Sequence, residues 1–259
     1  MGYSALYFPH AVQTWLNHGW LKSGQRLMDF GSQEFFANPA ETRLEVGGFL
    51  HHRGVPSTKV EALLGDGLPK VVEVYAAIGV DYLSIDVDGA HGSTFFDLNT
   101  FASPPEWHNA FDFVNNEGTI EHLANPINGF HVAHDIVKVG GVVRHNFPLI
   151  GWAQHGFANL TPKFYSHLVG DNAYEVLKVV ATLTDPTPFE DPLFTACLGD
   201  AGGQHPVKIP TPAVTNIWGE LVYRKTIDRP FVLPIDHVEG PNAAAVRQRL
   251  IENYRTRRS

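Results

Sequence analysis

The sequence predicts an α/β fold, a mostly parallel central sheet with helices and a late antiparallel hairpin. Three observations carry this. Short apolar runs alternate with stretches of helical period, the pattern of strands and covering helices. Two of the runs end in an acid beside a glycine turn, Asp29-Phe30-Gly31 and Asp86-Val87-Asp88-Gly89. Hydrophobic residues make up 44% of the 259 residues and charged residues 18%, which excludes a disordered chain and does not suggest a coiled coil.

Taken in order, Val12, Trp15, Leu16 and Trp20 suit one face of an opening helix. Arg26–Gly31 reads as a buried strand ending in a turn. Thr58 and Glu61 match a capping box ahead of Leu63 and Leu64. Val71, Val74, Tyr75 and Ile78 repeat at helical spacing. Tyr82–Asp86 and Phe111–Asn116 are the next strands. Pro126 opens a helix that runs through Phe130 and Val137 to a glycine stop at Gly140-Gly141. Val142–Phe147 follows as a strand, and Thr161-Pro162 opens another helix. Leu221–Thr226 and Phe231–Leu233 read as the late hairpin.

The chain reads as a single domain, 1–259, with an inserted helical segment at about 35–80. From about 185 to 212, Pro186, Pro188, Pro192, Pro206, Pro210 and Pro212 with Gly202-Gly203 break every period. That stretch is read as an irregular, lid-like segment, against a plain surface excursion. The tail, with Arg247, Arg249, Arg255, Arg257 and Arg258, is read as a solvated helix.

Lys plus Arg is 19 against 27 Asp plus Glu, a net charge of -8. Such a chain is a poor polyanion binder, so neither nucleic acid nor a membrane is an expected partner. A single cysteine, Cys197, fits a reducing, cytoplasmic setting. No run of 18 apolar residues suggests a membrane span, and no basic stretch near residue 1 suggests a signal peptide.

The chemistry begins at Asp29-Phe30-Gly31-Ser32-Gln33-Glu34. A strand ending in a tight glycine turn exposes backbone N–H groups at the edge where open α/β sheets bind ligands. Dinucleotide binders place three glycines there so that a pyrophosphate can approach. Only Gly31 is present, so pyrophosphate is poorly served, while Asp29 and Glu34 favour a smaller or cationic ligand. An ordinary turn glycine is the rival reading. Asp86, at the tip of the second strand, is placed to accept from both hydroxyls of a ribose, with Asp88 as a fallback. Asp97-Leu98-Asn99 offers an acceptor and an amide to an adenine. Adenosine without a phosphate cradle points to S-adenosylmethionine, whose sulfonium is cationic.

The chain resembles the class I S-adenosylmethionine-dependent methyltransferases, in their small-molecule branch. Met28-Asp29-Phe30-Gly31-Ser32-Gln33 resembles the first motif, and Ile85-Asp86 the strand-two acid. Phe111–Val114 with Glu117-Gly118-Thr119-Ile120-Glu121-His122 resembles the fourth strand and its Glu-His step. Val137-Lys138-Val139-Gly140-Gly141 resembles the turn before strand five. The likeness runs in order from Leu27 to Phe147 and more loosely beyond. Gln33 replaces the family's second glycine, and the gap from Gly31 to Asp86 exceeds the usual ~20 residues. The resemblance implies a Rossmann-like fold with helices on both faces of the sheet. It further implies cofactor contacts from Asp29, Gly31, Ser32, Gln33, Asp86, Val87, Asp97, Leu98, Asn99, Asn116, Glu117 and Gly118.

The resemblance puts the acceptor beyond strands four and five. There the segment from His145 to Tyr165 is rich in polar and aromatic groups. His155 is the expected base, with His122 and His145 as alternatives, and Tyr165 or Asn159 orients the acceptor. Asn146, Trp152 and Asn159 complete the expected pocket. A structural histidine and a core aromatic are the rival readings at each position. A divalent ion held by these histidines with carboxylates is the rival use of them, but neither an H-E-x-x-H motif nor a cysteine pair is present, so no metal ligands are assigned. The expected activity is methyl transfer to a small-molecule acceptor. Rival readings are a cyclase using the same cofactor, a nicotinamide oxidoreductase and a non-catalytic binding protein. A homodimer is compatible with the sequence, which identifies neither the acceptor nor the methylated atom.

Overall fold

The computed structural model describes residues 2–36, 38–65, 67–152, 155–187, 214–236 and 241–256. The chain opens with β1 (Gly2–Tyr3), α1 (Tyr7–Asn17), β2 (Arg26–Phe30) and β3 (Glu34–Phe35). Three helices follow, α2 (Pro39–His52), α3 (Ser57–Leu64) and α4 (Val71–Ala77). Then come β4 (Asp81–Asp86), β5 (Thr94–Phe95), β6 (Phe111–Glu117), α5 (Pro126–Ile136) and β7 (Val137–Ile150). The last described elements are α6 (Pro162–Asp171), β8 (Glu175–Thr187), β9 (Val214–Arg224) and α7 (Ala243–Thr256).

Seven strands form one sheet in the order β5-β4-β2-β6-β7-β9-β8. The first five neighbours pair in parallel, and β9 runs antiparallel to both β7 and β8. This is the mostly parallel sheet with an antiparallel C-terminal hairpin that the sequence predicts. Period-two alternation splits the core. Phe113 of β6, Val142 of β7 and Val222 of β9 face a cluster with Phe8, Trp15, Val46, Val60, Val74 and Tyr75 of α1–α4. Val114, Val143, Leu221 and Tyr223, their neighbours in sequence, face Phe130 and Ile136 of α5 and Leu168 of α6. Helices therefore cover both faces.

Several local expectations are corrected. The hairpin is β8 with β9, and Phe231–Leu233 is not a strand. Pro230 and Pro234 flank that stretch, and the Val232 N–H and carbonyl bond to the Asn172 side chain instead. Helix α5 stops at Ile136 because Val137 already pairs with Phe111; the ladder resumes only at Val142 opposite Phe113, so residues 138–141 bulge out. Helix α3 starts behind Pro56 with no side-chain cap, so Thr58 does not serve as one. Of the lid-like segment, 188–212 lies outside the described residues, and 185–187 ends β8.

Candidate active site

The chain adds β4 and β5 on one side of β2, then returns to add β6 and β7 on the other. A parallel sheet opens a crevice at its carboxyl edge where the order reverses in this way. At that edge β2 ends in Gly31, φ +93, whose N–H donates to the Ile85 carbonyl at 2.8 Å. β6 ends in Gly118, φ +76, whose N–H donates to the Asn146 carbonyl at 3.1 Å. Left-handed φ is open to glycine at little cost and strains a β-branched residue. The Thr119 hydroxyl donates to the Phe30 carbonyl at 2.6 Å and ties the two strand ends together.

Asp86 faces this turn. Its carboxylate accepts from the Ser32 N–H at 2.8 Å and from the Val87 N–H at 2.6 Å, and the side chain is half-buried. The Ser32 hydroxyl donates to Asp88 at 3.3 Å. Two backbone donors thus fix Asp86, and an ionised carboxylate accepts about four hydrogen bonds, leaving room for more. Val87 is exposed, and the Gln33 side chain turns inward to donate to the Phe30 carbonyl at 3.2 Å.

Other expected cofactor residues are engaged within the protein. Asp29 is fully buried and accepts from Tyr3 at 2.6 Å, Asn115 at 2.9 Å and Tyr82 at 3.4 Å. Burial pushes its carboxyl up to about 7 against the hydrogen bonds from Tyr3 and Asn115. Asn116 caps the turn after β6, accepting from Thr119 and Ile120 at 3.0 Å each. Asp97 accepts from the Asn99 N–H at 2.8 Å and from Thr100 at 2.6 Å, and the Thr100 bond leads in holding it below the usual carboxylate range. Asn99 bonds onward to Asn125, and Leu98 packs in the core. These side chains are committed because a loop beside an open sheet edge must satisfy its own polar groups.

On the acceptor side, Glu117 pairs with Arg144, which is 1% exposed and also pairs with Glu220 at 2.7 Å. Burial opposes the Arg144 charge, but Glu117, Tyr7 and Glu220 outweigh it and hold the guanidinium above its ordinary range. Asn146 donates to Glu117 and accepts from the Trp218 indole. Arg144, Asn146, Trp218 and Glu220 border a cavity of about 270 Å³ between α1 and the β7-β9-β8 end of the sheet, with Tyr7 and Lys178.

The four expected catalytic residues separate. His145 is fully buried against Phe130, with Nε2 3.2 Å from the Tyr223 hydroxyl, and burial followed by Arg144 pushes it down to about 3. It has no access to an acceptor and is corrected to a core residue. Tyr165 is 8% exposed, stacks on Phe147 with ring centroids 3.9 Å apart, and lines a cavity of about 340 Å³ with Leu149, Val169 and Leu221. Strand alternation and an inward helix face take both side chains into the apolar layer.

His155 and His122 instead come together, ring centroids 4.9 Å apart, beside Glu121. Burial pushes His122 down, against the pull of Glu121. His155 Nε2 lies 3.4 Å from Glu121 Oε1, and Glu121 is 3% exposed. Trp152 and Trp218 flank His155 at 5.3 and 5.7 Å between ring centroids. Trp152 is held by Asn216 and the Ile217 carbonyl, and Asn159 by the Gly151 carbonyl at 2.7 Å. The sequence reading assigned no metal ligands, yet the ligand atoms of Glu121, His122 and His155 lie within 4.8 Å of one another. Arg144, Glu220, Tyr7 and Trp218 were not anticipated. Their one signal is a charged residue, Arg144, amid the apolar run of β7.

No family model and no curated protein matches the chain. Among solved structures it is similar to an S-adenosylmethionine-dependent methyltransferase from Aquifex aeolicus, at 13% identity and TM-score 0.41, covering 85% of this chain and 91% of that one. A methyltransferase of the same description from Archaeoglobus fulgidus is 10% identical, with TM-score 0.43 over 84% and 94% of the two chains. The [4+2]-cyclase SpnF is 13% identical, with TM-score 0.43 over 86% and 83%. Likeness of this extent carries no functional argument, and the α/β fold described here rests on the strand order, the parallel pairing and the crevice that they open.

Proposed function

We propose that the protein transfers a methyl group from S-adenosylmethionine to a small-molecule acceptor. The observation that carries this reading is the Gly31 turn set against the Asp86 carboxylate at the switch point of the sheet. Ser32 donates to Asp86 through its N–H and to Asp88 through its hydroxyl, and Glu34 follows two residues on. A pyrophosphate would meet carboxylates there, whereas a ribose hydroxyl pair finds an acceptor and a sulfonium finds compensating charge.

Transfer itself asks mainly for alignment. The acceptor's lone pair attacks the methyl carbon, the carbon–sulfur bond breaks, and its electrons stay on sulfur as S-adenosylhomocysteine. The acceptor's proton leaves to the Glu121–His122–His155 cluster, which replaces the expected base His155 acting alone. The indole faces of Trp152 and Trp218 favour the sulfonium by about 0.5–2 kcal/mol where they reach it. One cysteine in 259 residues supports a cytoplasmic setting for this activity.

Calorimetric titration with S-adenosylhomocysteine, followed by mass spectrometry of turnover with candidate acceptors, tests the reading. Micromolar binding and a product heavier by one methyl group support it. Absence of binding, or NAD found as the co-purifying ligand, refutes it, and rearrangement without methyl loss from the cofactor moves the activity to a cyclase.

A further inference from the structure

We infer that Glu121, His122 and His155 form a binding site for one divalent first-row transition ion, zinc foremost. The carboxylate of Glu121 is 3% exposed, and among the described residues neither of its oxygens has a hydrogen-bond partner. A carboxylate removed from water without donors is costly unless a cation compensates it. His155 Nε2, which also lacks a hydrogen-bond partner among the described residues, lies 3.4 Å from Glu121 Oε1. Two ligands held at about 2.1 Å in a tetrahedral shell stand roughly 3.4 Å apart. The pair is therefore at ligand-to-ligand spacing. The exposed ring of His122 lies within 4.8 Å of both and closes the set by a side-chain rotation.

The backbone builds the site in advance. Asn116 caps the turn that carries Glu121 and His122. The Glu121 carbonyl accepts from the Phe157 N–H at 2.7 Å and the Ala158 N–H at 3.0 Å, which pins the His155 loop to residue 121. Gly156 permits this approach, since a Cβ there would stand 2.8 Å from the Glu121 carbonyl oxygen. Two imidazoles and one carboxylate suit zinc and its neighbours in preference to the all-oxygen shells of Mg²⁺ and Ca²⁺. Three protein ligands leave a position open, as in catalytic rather than structural sites. With the ion bound these side chains are ligands and not the base; that an acceptor hydroxyl then takes the open position and loses its proton to water rests on the methyl-transfer reading, and metal binding does not.

Untagged protein is stripped with chelator and titrated with Zn²⁺, with Co²⁺ for its visible ligand-field spectrum and Mg²⁺ as comparator. The expected result is one Zn²⁺ per chain, a higher melting temperature with Zn²⁺ but not Mg²⁺, and a Co²⁺ spectrum that differs from the aqueous ion. His155→Ala and Glu121→Gln should each weaken Zn²⁺ by at least about 10–100-fold and abolish that spectrum. Should Glu121→Gln fail to fold, His155→Ala decides, because its side chain is half-exposed. No bound Zn²⁺, equal stabilisation by Mg²⁺, or undiminished Zn²⁺ affinity in His155→Ala overturns the site. S-adenosylhomocysteine titrated in parallel separates the two readings. Its binding without zinc removes the metal alone, and zinc without its binding removes the methyl-transfer reading alone.

Discussion

Asp86 shows how one carboxylate serves both turn and ligand. The Ser32 and Val87 N–H groups orient it, and each carboxylate oxygen keeps acceptor capacity for a ligand. Asp86→Ala should weaken S-adenosylhomocysteine by about 1–3 kcal/mol, roughly 5–150-fold by calorimetry. Three buried groups make opposing contributions to the pH dependence of stability. Asp29, raised to about 7, keeps a proton that the unfolded chain loses above the ordinary 3.8, so its contribution is lost as pH rises through that window. His145, lowered to about 3, and His134, lowered to about 4, mainly by burial, act in the opposite sense. Their contributions are present above 6.5 and are lost as pH falls toward those values. Between about pH 4 and 6.5 the three leave a net rise of stability with pH of one proton, about 1.4 kcal/mol per pH unit. His145→Phe should flatten that slope and Asp29→Asn should steepen it, read from urea midpoints across this range.

At the scale of elements, the turn after β2 is the segment least tolerant of change. Its φ of +93 at residue 31 and its hydrogen bond to Ile85 bring the backbone to the crevice. Gly31→Val places a β-branched residue where only glycine is relaxed. S-adenosylhomocysteine binding should vanish while circular dichroism retains the native spectrum; normal binding would move the site away from β2. This turn was legible in the sequence because glycine chemistry is local. Strand β8 was not, since Glu175–Thr187 is an edge strand whose exposed Val176 and Val179 lack a clean alternation. The boundary between α5 and β7 was misplaced for a related reason, because pairing with Phe111, distant in sequence, decides the state of Val137.

Across the whole molecule, a buried ionic network joins α1 to β6, β7, β9 and β8. Arg144 bonds to Tyr7, Glu117, Asn115 and Glu220, and Glu220 pairs with Lys178. Its guanidinium carbon also lies 5.3 Å from the Trp15 ring centre. A buried pair contributes little net stability, but breaking one strands a charge. Arg144→Met should cost about 3–5 kcal/mol in denaturant unfolding, and adding Glu117→Gln should recover part of it. A double variant no more stable than the single one would show that Glu117 is compensated elsewhere.

The sequence by itself determined the α/β class, the strands that lead into Gly31, that end at Asp86 and that cover Phe111–Asn116, and the Gly31 and Asp86 positions. Those features rest on hydrophobic period and on turn chemistry, which act over a few residues. Only the tertiary structure decided which polar residues remain free. Asp29, Asn116, Asp97 and Asn99 are taken up by partners distant in the chain or by their own turns, and His145 is turned into the core by strand alternation. It alone joined Glu121 and His122 to His155, 33 residues beyond His122 in the chain. That contact depends on a loop pinned to one carbonyl oxygen, and no local pattern encodes where a loop will be pinned.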